Sequence, residues 1–125
     1  MILGAEYTEF CEYRAECDGL LHVSGQIYPD HADFTRSLYL ALMVNGIMVQ
    51  VDNAESPAGA HMPARISRVI KVKKGDRIAF TGRVLCHRNK SGFWPSLLQK
   101  HATTPDGARI LRNAPYEHFD FIYVG

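Results

Sequence analysis

Apolar positions recur at every second residue over much of the chain and are interrupted by Gly, Pro, Asn and Asp, the pattern of short β-strands joined by turns. Residues 19–28, GLLHVSGQIY, set Leu21, Val23 and Ile27 against Leu20, His22, Ser24 and Gln26, which predicts a strand with one buried face. Residues 37–51, SLYLALMVNGIMVQV, predict a strand, a turn and a second strand. Asn45-Gly46 is the preferred pair for a two-residue type I′ turn, because both central residues must accept positive φ. The first arm is apolar on both sides, with Leu38, Leu40, Leu42 and Val44 alternating with Tyr39, Ala41 and Met43. An antiparallel sheet with one wet face is polar on that face. Something therefore covers the second side of this strand, and the expected cover is a partner subunit lying on Tyr39, Ala41 and Met43.

Residues 6–13 predict an opening strand, and 65–73, RISRVIKVK, a later one that ends in the turn Lys74-Gly75-Asp76. Residues 77–86 alternate Ile78, Phe80, Gly82 and Val84 with Arg77, Ala79, Thr81 and Arg83, and 118–124, HFDFIYV, close the chain as a strand. Residues 52–63 read as a loop from their Gly, Pro, Ala and Ser content. Residues 87–115 read as loop-rich, with apolar islands at Phe93-Trp94 and Leu97-Leu98 and a short strand around Ile110-Leu111. No helical periodicity, repeat or linker stands out. The expectation is one all-β domain over residues 1–125, a two-sheet sandwich or a barrel, with residues 1–17 as an N-terminal arm or first strand.

The order of these segments is similar to the globular heads of complement component 1q and the tumour necrosis factor superfamily. A GLLHVSGQIY strand is followed by LYLALMVNG, a variable loop, RVIKVKKGDRIAF and a terminal aromatic strand, FDFIYV. The resemblance covers residues 18–125 and is most specific in 69–80, VIKVKKGDRIAF, where a hydrophobic strand runs into Lys-Gly-Asp. It implies an antiparallel jelly-roll sandwich assembled as a homotrimer, with one sheet against the neighbouring subunits. On that basis Phe119, Phe121 and Tyr123 join Tyr39, Ala41 and Met43 as expected trimer-interface residues. The chain departs from the animal members in having no collagen-like or coiled-coil stalk. That directs the expectation to the stalkless bacterial or bacteriophage kind: a virion structural protein, assembled in the host cytoplasm, that decorates or cements a capsid by binding the major capsid protein or another virion protein. The alternative is the receptor- or glycan-binding head of a phage fibre or a bacterial surface lectin.

Composition narrows this further. With 125 residues, 46% hydrophobic, the chain is long enough to bury a core, and it has no twenty-residue apolar run, so no membrane partner is expected. The opening MILGAEYTEF does not read as a secretion signal. Three cysteines, an odd number without metal-ligand spacing, favour buried thiols over a disulfide framework. Net charge is +1 but unevenly spread: −6 up to residue 34, +5 over 65–77 and +4 over 88–112. Either these are solvated faces, or they are complementary charges between subunits or towards an acidic surface. Nucleic acid is not an expected partner of so nearly neutral a domain.

Six histidines are scattered singly, without zinc spacing, and Cys86-His87 are adjacent, so a strand sends them to opposite faces. No nucleophile-elbow, phosphate-loop or dinucleotide string occurs, and the expectation is a non-enzymatic protein without cofactor or metal. Partner binding is expected at two places. One is Phe93 and Trp94 with Arg88 and Lys90, where the tryptophan is either an interface anchor, a platform for a sugar, or a plug for the sandwich end. The other is the acidic N-terminal stretch with Glu6, Glu9 and Glu12, as a tether.

Overall fold

The computed structural model describes residues 2–30, 36–56, 62–86, 108–113 and 115–125. Within them the backbone forms β1 (Ile2–Leu3), β2 (Thr8–Arg14), β3 (Gly19–Ile27), β4 (Arg36–Val44), β5 (Ile47–Ser56), β6 (Ala64–Val72), β7 (Arg77–Cys86), β8 (Ala108–Arg109) and β9 (His118–Tyr123), and no helix among the described residues. One sheet has the order β2-β7-β4-β5 and the other β6-β3-β9, while β1 and β8 form a small separate pair. Every pairing is antiparallel. The chain is thus an all-β, two-sheet antiparallel sandwich, as its alternation predicts.

Strand β5 runs past the point where composition predicts a loop. Asp52, Asn53, Ala54 and Glu55 pair with Leu40, Tyr39, Leu38 and Ser37 of β4. A long, well-packed partner strand overrides the weak strand preference of Asp and Asn. At the other end of this hairpin Asn45 and Gly46 take φ of 49° and 80°, the left-handed values that the Asn-Gly pair predicts.

The core lies between the sheets. Leu21, Val23 and Ile27 of β3 meet Leu38, Leu40 and Leu42 of β4 and Ile78, Phe80 and Val84 of β7, all sealed from solvent. Phe80 is central, its ring 5.1 Å from that of Phe119 and 5.9 Å from that of Phe121. Gly25 makes room for it: a Cβ there would stand 2.7 Å from the Phe80 ring edge, closer than packed carbons approach.

The second face of β4 is largely closed by the chain itself. Ala41 is 0% exposed, between its cross-strand partners Val51 and Thr81. The Arg83 guanidinium stands over Tyr39 at 5.0 Å and over Tyr7 at 5.2 Å, so one cation joins two aromatic faces. The doubly apolar strand, attributed above to a partner subunit, is covered at Ala41 within one protomer.

Two turns are tied together at one end of the sandwich. Asp76 accepts the Lys73 N–H at 2.8 Å and the Asn45 side-chain N–H at 3.0 Å, while Asn45 accepts the Arg77 N–H at 2.9 Å. The Lys73 amide first, and Asn45 second, hold the Asp76 carboxyl below the ordinary Asp value. A carboxyl whose folded pKa is lowered contributes stability above its unfolded value and loses it as pH falls through the folded one. Asp76→Ala is therefore expected to lower stability at neutral pH and to flatten the decline below about pH 4, which a series of urea midpoints against pH would measure.

Candidate functional site

The outer side of the three-stranded sheet carries four exposed apolar side chains over two neighbouring rows, each of which also holds one basic residue, His22 or Lys71. Val69 of β6, His22 of β3 and Ile122 of β9 are cross-strand neighbours, and Lys71 and Leu20 form the next row, closed by Val124 through its N–H on the Leu20 carbonyl at 2.9 Å. Leu20, Val69, Ile122 and Val124 are 43%, 50%, 56% and 56% exposed. Ser24, Ser67, His118 and Asp120 continue the same face as its polar half. The surface is legible in part from the sequence. Leu20 shares its parity with His22 and Ser24, and in Val69-Ile70 and Phe121-Ile122 two adjacent apolar residues must point opposite ways.

The six residues expected at a trimer interface do not form one face. Tyr39, Ala41 and Met43 lie on the outer side of the four-stranded sheet, where Met43 helps line a hollow of about 100 Å³ with Glu9, Arg77 and Thr81. Phe119, Phe121 and Tyr123 belong to the other sheet and pack against the core. Phe121 stacks on Tyr13 at 4.9 Å, and the Tyr123 hydroxyl accepts the Glu16 N–H at 2.9 Å. The strand pattern of β9 fixes two alternating sets without saying which faces inward, and the aromatic set went to the core.

The acidic stretch is not a loose arm. Glu9 and Glu12 lie on β2 and hold Arg77 of β7 at 2.8 and 3.0 Å, so the N-terminal acids meet part of the basic run within the protomer. Those two acids, with the Arg77–glutamate hydrogen bonds to Glu12 first, raise the Arg77 pKa above its ordinary value. Glu6 is exposed ahead of the strand. Arg88, Lys90, Phe93 and Trp94 lie outside the described residues, as do His31, His61, His87 and His101.

Two histidines can be placed in the sheet. His22 Nε2 lies 2.9 Å from Ser67 Oγ, and His118 Nδ1 lies 3.7 Å from Asp120. His22 lies on β3, which is paired on both edges, and Ser67 on β6 at the edge of the same sheet. Among the described residues no three His, Cys, Asp or Glu side chains gather as metal ligands.

Cys11 and Cys17 are free thiols in different settings. Cys11 points towards the core, and burial pushes its pKa up to about 11. Cys17 is exposed beside Tyr123, whose hydroxyl it meets through N–H and C=O at 3.3 Å. Since the thiolate is the reactive form, iodoacetamide at neutral pH is expected to label Cys17 well before Cys11 in the folded protein and both in urea. Peptide mass mapping reads this out, and equal labelling in the folded state would contradict the placement of Cys11.

Compared with known proteins, the chain matches no family model and no curated relative.

Proposed function

We propose that the protein is a non-enzymatic, homotrimeric jelly roll that works by attachment, as a small virion component decorating a bacteriophage capsid. Strand order supports the jelly-roll part. Two antiparallel sheets, β2-β7-β4-β5 and β6-β3-β9, set strands distant in sequence side by side, as the Greek-key connections of a jelly roll do. The trimer places the outer face of β6-β3-β9 against its neighbours around a three-fold axis.

The observation that carries this reading is the patch of Val69, Ile122, Leu20 and Val124, exposed over two neighbouring rows of one sheet that also hold His22 and Lys71. Exposed apolar side chains gathered on a flat sheet face mark a protein contact more often than scattered ones do. Closing three such faces on each other buries them, and cyclic closure limits the assembly to a defined size. A trimer then presents three copies of every remaining surface, so weak individual contacts to a capsid lattice add through effective concentration.

Light scattering after size exclusion, over a range of concentrations, tests the assembly. A mass near three times 14.1 kDa is expected, and a monomer at all concentrations would overturn the reading. Cosedimentation with capsid shells tests the attachment, which the trimer should show and a monomeric variant should lose.

A further inference from the structure

His22 stands in the middle of the exposed apolar patch. On β3 it is the direct cross-strand neighbour of Val69 on β6 and of Ile122 on β9, with Leu20 two residues away on its own strand and the same face. Opposed side chains of an antiparallel sheet have Cβ atoms about 5 Å apart, so the imidazole sits between two apolar side chains. It is half-buried, and its Nε2 lies 2.9 Å from Ser67 Oγ. A hydroxyl both donates and accepts, so this bond forms with either tautomer of the neutral ring.

The charged groups that face His22 come from the two flanking strands. On β6, Lys71 is its diagonal neighbour, paired with Leu20 in the next row, and Arg65 lies two rows away with its Nε–H on Gln26. On β9, Asp120 is the diagonal neighbour in the opposite direction, paired with Ser24, and His118 lies one row further, its Nδ1 3.7 Å from Asp120. On β3 itself the same face carries Leu20, Ser24 and Gln26, all uncharged.

We propose that His22 makes the assembly of the protein pH-dependent: neutral, it is buried when three faces close on one another, and protonated, it holds them apart. This rests on the trimer proposed above and names what regulates it. Closing the faces removes Val69, Ile122 and Leu20 from water, and His22 with them. A neutral imidazole already bonded to Ser67 enters such a contact at small cost, whereas an imidazolium loses the hydration of its charge. Three imidazoliums would also join three Lys71 ammoniums at the same patch, and like charges repel more strongly once desolvated. Asp120 acts in the opposite sense, but its side chain is 61% exposed, stands outside the two apolar rows and is close to His118. The assembled form therefore binds fewer protons than three separate protomers. Association weakens as pH falls through the ordinary histidine range, about pH 6.5, and three copies titrate in concert.

The test is sedimentation equilibrium of the full chain at about pH 7.5 and about pH 5.5, at constant ionic strength, with circular dichroism confirming the same β-sheet content at both. The monomer–trimer association constant of the parent should fall by roughly a hundredfold to a thousandfold between the two. His22→Gln should be trimeric at both values, and His22→Lys, a cation at both, should be monomeric at both. His118→Gln should keep the pH dependence of the parent. A parent trimer equally strong at both values, a His22→Gln trimer as pH-dependent as the parent, or a trimeric His22→Lys overturns the inference and leaves the trimer standing. A parent protein that is monomeric at both values overturns the trimer itself, and the inference with it.

Discussion

Phe80→Ala should be the most damaging single substitution in the sandwich, at about 3–5 kcal/mol, the range for truncating a buried aromatic. The reason is positional. Phe80 is fully buried on β7, its ring lies against Phe119 and Phe121 of the opposite sheet, and Gly25 has no side chain with which to fill the space it would leave. A domain with 5–15 kcal/mol of total stability loses a large share of it, and the melting temperature should fall by roughly 10–20 °C. Thermal unfolding followed by circular dichroism measures this. A drop of only a degree or two would mean that Phe119 and Phe121 collapse into the site.

Replacing Val69 and Ile122 together by glutamate should convert the proposed trimer to monomers without unfolding the protomer. Both side chains point away from the core, so the sandwich keeps its packing. In an assembled trimer the same change would gather carboxylates in a desolvated contact, at a cost of several kcal/mol. Light scattering should report 14.1 kDa for the variant, with the β-sheet circular dichroism of the parent. A variant that keeps three chains would move the contact elsewhere, and the next surface to mutate is the β4–β5 hairpin end, where Ile47, Met48 and Val49 are exposed.

The hollow beside β8, lined by Tyr28, Asp30, Leu111 and Tyr116, and the exposed apolar patch differ in how far the sequence reveals them. Tyr28 and Asp30 belong to one segment and Leu111 and Tyr116 to another distant in sequence, and nothing in their spacing links the two, because what joins them is the bridge between Pro29 and Ile110. The patch shows in the sequence only as single apolar residues of matching parity in separate segments, and it takes the register to set Val69 and Ile122 on either side of His22. The acidic N-terminal stretch shows the opposite case. Its charges were plain in the sequence, but only the β2–β7 register shows that Glu9 and Glu12 are engaged with Arg77.

By itself the amino-acid sequence determined the local structure: strands by period-two alternation, the hairpin by Asn45-Gly46, the β6–β7 turn by Lys74-Gly75-Asp76, and an all-β class by the absence of helical periodicity. These follow from backbone sterics and side-chain direction, which act within a few residues. Tertiary structure alone decided which side of each strand faced inward when both were apolar. In β4 the leucines went to the core and Ala41 was closed over by its own sheet; in β9 the aromatics went in and Ile122 stayed out. Alternation defines two faces but not their environment, and that depends on what the opposite sheet, distant in sequence, brings to meet them.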